Sequence, residues 1–434
     1  MSGPGGGRDA SLAREVVLPA SAASRLPRLL PAEFSGRPAG LAEHLARHGA
    51  LPTDGGSALI DEVGRAGLTG RGGAAFPTAR KLAAVAQAAG RPVVVANGTE
   101  GEPASAKDKV LLATEPHLVI DGAVAAAAAV GARGVIIVAH PAVFDAVTAA
   151  ASERRAAGLA EARIEVLPAA RGFVAGEASA VVDWAGGGPP LPTPVPPHLA
   201  SRGLRGRPTL VSNAETLGHL ALIARHGARW FRAVGTANEP GSMLVTLTGA
   251  IRQPGVREVA IGTQLADVLA VGGGPSRPLR AVLVGGYFGA WVRWPEASGL
   301  SFSAAGLKAA GATPAAGLVA ALPADACGLA ETARVARYLA DESAGQCGPC
   351  IFGLDAIAAE LARLAAGSAT GIVRLRRWLG QVDGRGACRH PDGAVHFIRS
   401  GLDVFADEIE VHRRGWCSGA ASGHILPVPA ARPR

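Results

Sequence analysis

The strongest constraint on what this chain can fold into is an alternation running from about Leu41 to Leu222, in which helical periodicity repeatedly gives way to short apolar or β-branched runs. Ser57–Ala66 and Pro116–Gly131 carry the helical pattern, and Val93–Ala96, Gly134–Ala139 and Arg163–Leu167 read as buried strands. Strands that are apolar on both sides need cover on both sides, so residues 41–239 are expected to form an α/β domain with helices over a sheet. Residues 186–197 are a Gly/Pro loop long enough to be functional or to wrap the surface.

The texture changes near Pro240. Met243–Gly249 alternates, a turn follows at Gln253–Gly255, Arg257–Ile261 and Ala281–Val284 are strand-like, and Gln264–Val271 is helical. Residues 240–328 therefore form a small β-rich module. From Leu329 onward helical patterns dominate, over Ala330–Asp341, Gly353–Ala366, Gly371–Gln381 and Ala394–Arg413, which predicts a helical bundle at 329–434. Residues 1–40, rich in Gly, Pro and Ala, read as a loose tail.

Composition excludes several function classes. The 434 residues exceed one compact core, and at 48% hydrophobic they are not a disordered chain. The formal charge of +8 comes from scattered Arg with no basic block interleaved with aromatics, which favours anionic cofactors or an acidic partner over nucleic acid. Five cysteines do not make a disulfide scaffold, and three of them cluster late in the chain, which suits a reducing compartment. The apolar stretch Val119–Val138 is broken by Asp121, Gly131 and Arg133, so it reads as a buried helix and strand, not a membrane span. Met1–Ala10 has no apolar run behind basic residues. A cytoplasmic protein is expected, any membrane link going through a partner.

Four segments carry candidate ligand chemistry. In Gly64–Thr78, glycines at 70, 72 and 73 allow close backbone approach, so consecutive N–H groups can cradle a phosphate, with Thr78 and Lys81 just beyond. It is neither a Walker A loop nor a Rossmann turn, and an ordinary glycine turn is the competing reading. Asn97, Glu100 and Glu102 follow a strand, where open α/β sheets bind ligands, although an acidic surface turn has the same composition. Val174–Ala178 and Ser212–Thr216 could each be a capped helix start.

The sharpest chemistry lies in Asp341–Cys350, with Gly386–His390 beyond it. Cys347 and Cys350 form Cys-x-x-Cys, and Cys388 is a distant third thiol. The set suits a thiolate-bound cluster or metal. A thioredoxin-like pair, structural zinc and unrelated thiols remain open. Cys327 reads as a buried thiol, and Cys417 is unassigned.

Taken together and in order, these segments resemble the NADH-binding flavoprotein subunit of respiratory complex I and its relatives in NAD-dependent hydrogenases and formate dehydrogenases, over about Leu51 to Glu410. The family's Gly-Arg-Gly-Gly-Ala-Gly-Phe-Pro-Thr stands here as Gly70–Thr78, with Ala75 for a glycine; its Asn-Ala-Asp-Glu-x-Glu-Pro as Asn97–Pro103, with Thr99 for an Asp that helps hold flavin. Its Cys-Gly-Glu-Glu-Thr becomes Ala175–Ser179, with one of two carboxylates lost at Ala178, and Val-Asn-Asn-Val-Glu-Thr-Leu becomes Val211–Leu217. The resemblance implies an α/β FMN-binding domain, a β-grasp module of SLBB type and a helical iron–sulfur domain. It implies FMN and NAD(H) contacts at Gly70, Gly72, Gly73, Phe76, Lys81, Asn97, Glu100, Glu102, Gly176, Glu177, Asn213 and Thr216. The implied reaction passes hydride from NADH to FMN and then single electrons to a cluster and a separate acceptor, such as a ferredoxin or a subunit of a redox complex. No group is needed as a general base, and Glu100 and Glu102 would bind and tune.

The family's cluster motif Glu-Ser-Cys-Gly-x-Cys-x-Pro-Cys becomes Glu342–Cys350, with Ala344 at the first cysteine. Cys347, Cys350 and Cys388 match the other three ligands, which implies a [4Fe–4S] cluster with a non-cysteine fourth ligand or a [3Fe–4S] cluster. His390 could replace the missing thiol, although a surface histidine is the favoured reading. The substitutions at 99, 178 and 344 also fit a flavin-deficient scaffold or electron conduit.

Overall fold

The computed structural model describes residues 25–31, 36–52, 56–159, 162–194, 198–368, 370–417, 419 and 423–429. The first domain is built on four parallel strands, β1 (Val93–Gly98), β2 (Gly134–Ala139), β3 (Arg163–Pro168) and β4 (Thr209–Asn213), in the order β3-β2-β1-β4. Its helices are α1 (Leu41–His48), α2 (Ala58–Ala66), α3 (Thr78–Ala86), α4 (Lys107–Thr114), α5 (Pro116–Val130), α6 (Phe144–Ala156), α7 (Ala178–Ala185) and α8 (Ala214–Phe231). β1 is buried except at half-buried Asn97, as a strand apolar on both faces must be. β3, expected to be buried, is an edge strand whose residues alternate between exposed and half-buried.

The apolar stretch after residue 115 is helix α5, opened by Pro116 at its first turn and closed by left-handed Gly131. It lies in the core, and among the described residues no single helix is long and apolar enough to cross a membrane. At Gly122 it meets α8 backbone to backbone: a Cβ there would stand 1.9 Å from Leu217 O. Beside it, Asp121 is 2% exposed and paired with His44 Nε2 (2.7 Å), Arg154 (2.7 Å) and Arg225, which ties α1, α6 and α8 to α5. These partners outweigh the burial that pushes the Asp121 carboxyl up, and hold it well below the usual carboxylate range.

Residues 25–31 depart from the expectation of a loose tail; 1–24 and 32–35 lie outside the described residues. The backbone N–H groups of Arg28 and Leu29 donate to Glu258 Oε2 (2.7 and 2.8 Å), and Arg28 stacks 4.1 Å over the Trp230 ring. Leu29 is fully buried, so apolar packing and a carboxylate clamp hold this strap down.

The second sheet contains β5 (Ser242–Gly249), β6 (Gly255–Ala260), β7 (Leu279–Val284), β8 (Ala290–Arg293) and β9 (Leu318–Pro323), in the order β6-β5-β9-β7-β8. Only β5 and β9 run parallel; the other pairs are antiparallel. Along β7 the side chains split by pleat: Val282 and Val284 join α9 (Leu265–Ala270) in one core, while Ala281 and Leu283 join the C-terminal helices in another. Those helices are α10 (Gly328–Asp341), α11 (Asp355–Ala365), α12 (Ile372–Val382), α13 (His390–Val404) and α14 (Ala406–Arg413). The periodicity predicts one continuous helix over 394–413. The chain instead turns at Phe405, whose fully buried ring lies against Gly328, where a Cβ would come within 2.2 Å of it.

Candidate functional site

The glycine loop stands at the C-terminal end of β4, with Gly72 against Asn213. It is pinched at its base by Gly70 N–H to Phe76 O and Thr78 N–H to Leu68 O, both 2.9 Å. Arg71 anchors it: the backbone N–H donates to Thr216 Oγ1 (2.8 Å), and the buried guanidinium donates to Ser242 O and Thr69. Residues 72–76 are exposed, Gly73 has φ +105° with open space where a Cβ would be, and Gly72 lies on Asn213. Ala75 has φ +49°, so the alanine at this glycine position carries backbone strain of about 1 kcal/mol. Phe76 is 45% exposed at the rim. Beneath, Lys81 Nζ donates to Val211 O (3.0 Å), and burial lowers its pKa. An ammonium has three donors, so the geometry leaves it able to meet an anion.

At the strand ends most of the sequence candidates are engaged with the protein. Asn97 donates to Gly176 O (2.9 Å) and accepts from Thr99 N–H (3.1 Å). Glu100, at φ +47°, accepts from the N–H groups of Asp108 and Lys109 and from Ser105 Oγ. Glu102 reaches the second sheet, accepting from Tyr287 N–H (2.8 Å). Asn213 caps α8 through Glu215 N–H and donates to Asp108 (2.7 Å). Thr99 Oγ1, by contrast, is buried with no protein partner.

A charge cluster that the sequence reading missed lies under this edge. Lys107 Nζ sits 2.9 Å from both Asp108 Oδ1 and Glu215 Oε2, all nearly inaccessible. Burial pushes Asp108 up to about 6; at Glu215, Lys107 and His219 overcome burial and hold the carboxyl at about 2. The sequence signal was charged residues opening an otherwise apolar helix at 107–114.

The turn before α7 joins this edge to the cysteines. Glu177 Oε2 caps α7, accepting from Ser179 N–H (2.8 Å) and Ala180 N–H (3.2 Å), and Gly176 lies against Thr99 and Gly101. On the other side, Phe173 N–H donates to Glu342 Oε2 (2.8 Å), and the Phe173 ring meets Phe288, Tyr338 and His390. The Glu177 carboxylate is near enough to help raise the Cys388 thiol.

Cys347 and Cys350 lie at a π-helical turn, Pro349–Leu354, approached through left-handed Gly345. Burial, then Cys347 and Cys388, pushes the Cys350 thiol up to about 12, and burial also raises Cys388. Sulfurs this close to one another would be held as thiolates by a shared cation. Ala344 is half-buried beside this turn and offers no ligand. His390 is not on the surface: it is 2% exposed, Nε2 lies 2.7 Å from Leu339 O, and burial lowers it to about 4 while Nδ1 has no partner. Cys327 is buried at the far end of α10, next to His412.

These features fit the groups the resemblance implies. An open loop of N–H groups above a lysine suits a phosphate, the orphaned Thr99 hydroxyl suits a polar ligand at the strand edge, and the neighbouring cysteine sulfurs suit an iron–sulfur cluster. A nucleotide-type parallel sheet bridged to a cysteine site is the layout of a redox subunit that couples a bound cofactor to a metal cluster.

Known proteins agree. Residues 63–221 match the Nuo51 FMN-binding domain, and residues 330–412 match the NADH-ubiquinone oxidoreductase-F iron–sulfur binding region. The chain belongs to the F-subunit family of NADH-quinone oxidoreductases. It is 31% identical over 374 residues to an NADH-quinone oxidoreductase F subunit of Rhizobium meliloti (strain 1021), covering 82% of this chain and 88% of that one. It is 29% identical to the HndC component of the NADP-reducing hydrogenase of Solidesulfovibrio fructosivorans, covering 82% and 76%. A chain of the NAD+-reducing [NiFe]-hydrogenase, crystallised in the H2-reduced state, superposes with a TM-score of 0.75 at 32% identity. The match covers 83% of this chain and 63% of that one, so this chain spans just under two thirds of the solved relative.

Proposed function

We propose that this chain is an NADH dehydrogenase-type subunit that takes electrons from NADH at an FMN on the C-terminal edge of the first sheet and delivers them through an iron–sulfur cluster to a partner redox subunit. The observation that carries the reading is the 172–177 turn, which touches both sites: Gly176 O holds Asn97 at the strand edge, and Phe173 N–H holds Glu342 in the cysteine segment. Bound FMN supplies the exchange between two-electron and one-electron chemistry. The protein's part is positioning. Gly70, Gly72, Gly73 and Lys81 would hold the phosphate, and Phe76 at the rim would meet the nicotinamide; Asn97, Glu100, Asn213, Thr216, Gly176 and Glu177 shape the floor, and Glu102 fixes it to the second sheet.

Cys347, Cys350 and Cys388 would hold the cluster, as [4Fe–4S] with a non-cysteine fourth ligand or as [3Fe–4S], because Ala344 offers no thiol. The domain boundaries follow as 41–239, 240–328 and 329–434. The middle module is of SLBB β-grasp type, a reading supported by the parallel pair β5 and β9 between antiparallel neighbours. The acceptor is a separate chain, a ferredoxin or another member of a redox complex, reached in the cytoplasm.

Anaerobic purification with an optical spectrum tests this. The expected protein is yellow-brown, releases FMN on denaturation, bleaches with NADH and gives a cluster EPR signal on reduction. A colourless protein inert to NADH refutes the flavin reading; absence of iron and sulfide refutes the cluster.

A further inference from the structure

At the N-terminal end of α10, the end remote from the cluster cysteines, a second set of metal-type side chains converges. Cys327 Sγ, a His412 ring nitrogen and Cys417 Sγ all lie within 4.8 Å of one another. His412 Nε2 is 3.3 Å from Cys327 Sγ, and Glu408 Oε2 is 3.5 Å from each of these two atoms. Arg280 pairs with the other Glu408 oxygen, Oε1, and so fixes the carboxylate plane. Cys327, Glu408 and His412 are buried, and Cys417 closes the set from the surface. Glu408 and His412 stand one turn apart on α14, so a single helix face offers both.

Two details prepare these atoms for a cation. His412 Nδ1 pairs with Ala365 O, which places the ring hydrogen there and turns the Nε2 lone pair toward the sulfurs. Cys327 is the N-cap of α10, and its Sγ accepts the Ala330 N–H (3.3 Å), a contact that works against the burial and the neighbouring Glu408 and Cys417 that push this thiol up to about 12.

We propose that Cys327, His412 and Cys417, with Glu408 as the fourth ligand, bind a zinc-type divalent cation separate from the iron–sulfur cluster. Two thiolates, an imidazole and a carboxylate complete a closed tetrahedral structural site. Its role follows from where Cys417 sits. Just beyond it Gly419 lies against the Cys327 backbone, where a Cβ would come within 2.1 Å of Cys327 N, and further on Leu426 N–H donates to Glu331 (2.9 Å) while Pro427 O accepts from Tyr287 (2.6 Å). The cation staples the returning C-terminal chain across α10. The 14-residue α10, about 20 Å long, separates this site from the cluster.

The full chain with its cluster, isolated anaerobically from zinc-supplemented culture, is measured for zinc and iron by elemental mass spectrometry and by zinc-edge X-ray absorption. Stoichiometric zinc is expected, with two sulfur neighbours at about 2.3 Å and two nitrogen or oxygen neighbours at about 2.0 Å. Cys417→Ser, at an exposed position, should lower retained zinc more than about tenfold with iron content unchanged, whereas Cys347→Ser should lower iron and keep zinc. Zinc absent even after addition to the purified chain overturns the proposal. So does zinc retained fully by both Cys417→Ser and Cys327→Ser, or a Cys327–Cys417 disulfide found by alkylation mapping of the anaerobic protein.

Discussion

Glu102→Gln probes the joint between the flavin sheet and the second module. The Glu102 carboxyl accepts from Tyr287 N–H (2.8 Å), and its Oε1 is sealed from water with no partner. Burial raises its pKa from 4.5 to about 7, with neighbouring Glu100 adding to the rise. The native state therefore keeps a proton that the unfolded chain has lost between these two pH values. That contribution is fully present below pH 4.5 and is lost as pH rises through about 7. A shift of this size corresponds to about 3 kcal/mol. Glutamine keeps a carbonyl for Tyr287 and cannot ionise. Glu102→Gln should match the wild type in mild acid and exceed it by up to about 3 kcal/mol above neutrality. Urea unfolding at a series of pH values measures the difference, and infrared spectroscopy should show a protonated carboxyl band that the variant lacks. Parallel stability–pH curves for the two proteins, with no such band, would refute the reasoning.

Gly122→Ala should cost at least about 1–3 kcal/mol, because the added methyl meets the Leu217 carbonyl at 1.9 Å; an unchanged melting temperature would show that α5 and α8 are not in backbone contact. Asp121→Asn leaves His44, Arg154 and Arg225 without their carboxylate and should cost about 3–5 kcal/mol. Because the Asp121 pKa is depressed, that wild-type advantage is present above the ordinary carboxylate range and should shrink as pH falls below it, which acid unfolding curves can follow. Lys81→Met loses one bond to Val211 O and should fold, yet weaken FMN binding by about 1.5–3 kcal/mol in a fluorescence titration; equal affinity removes Lys81 from the phosphate site. Ala344→Cys should slow loss of iron in air and alter the cluster EPR spectrum, and no change in either would mean that residue 344 does not face the open corner.

How much could be read in advance depended on how far apart the interacting residues lie in the chain. β1 and β2 were legible because a strand covered on both faces must be apolar throughout. β4, Thr-Leu-Val-Ser-Asn, reads as the cap of the helix that follows it, and Asn213 does serve as that cap. β9, Leu-Val-Ala-Ala-Leu-Pro, carries no periodicity of its own and becomes a strand by pairing with β5 and β7. The glycine loop and the Cys-x-x-Cys turn were visible because each folds on itself within a short stretch of chain. The parts that needed distant partners were not. Lys107 pairs with Glu215, Glu102 with Tyr287, and Cys327 meets His412 across 85 residues. In each case the local sequence offers an isolated polar residue in an apolar setting, whose ordinary reading is a solvated charge or an inert thiol. Only the packing of separate segments makes it a buried pair, a titrating joint or a ligand. The features that tune this protein thus depend on contacts between distant parts of the chain, while those that mark its family sit within short motifs.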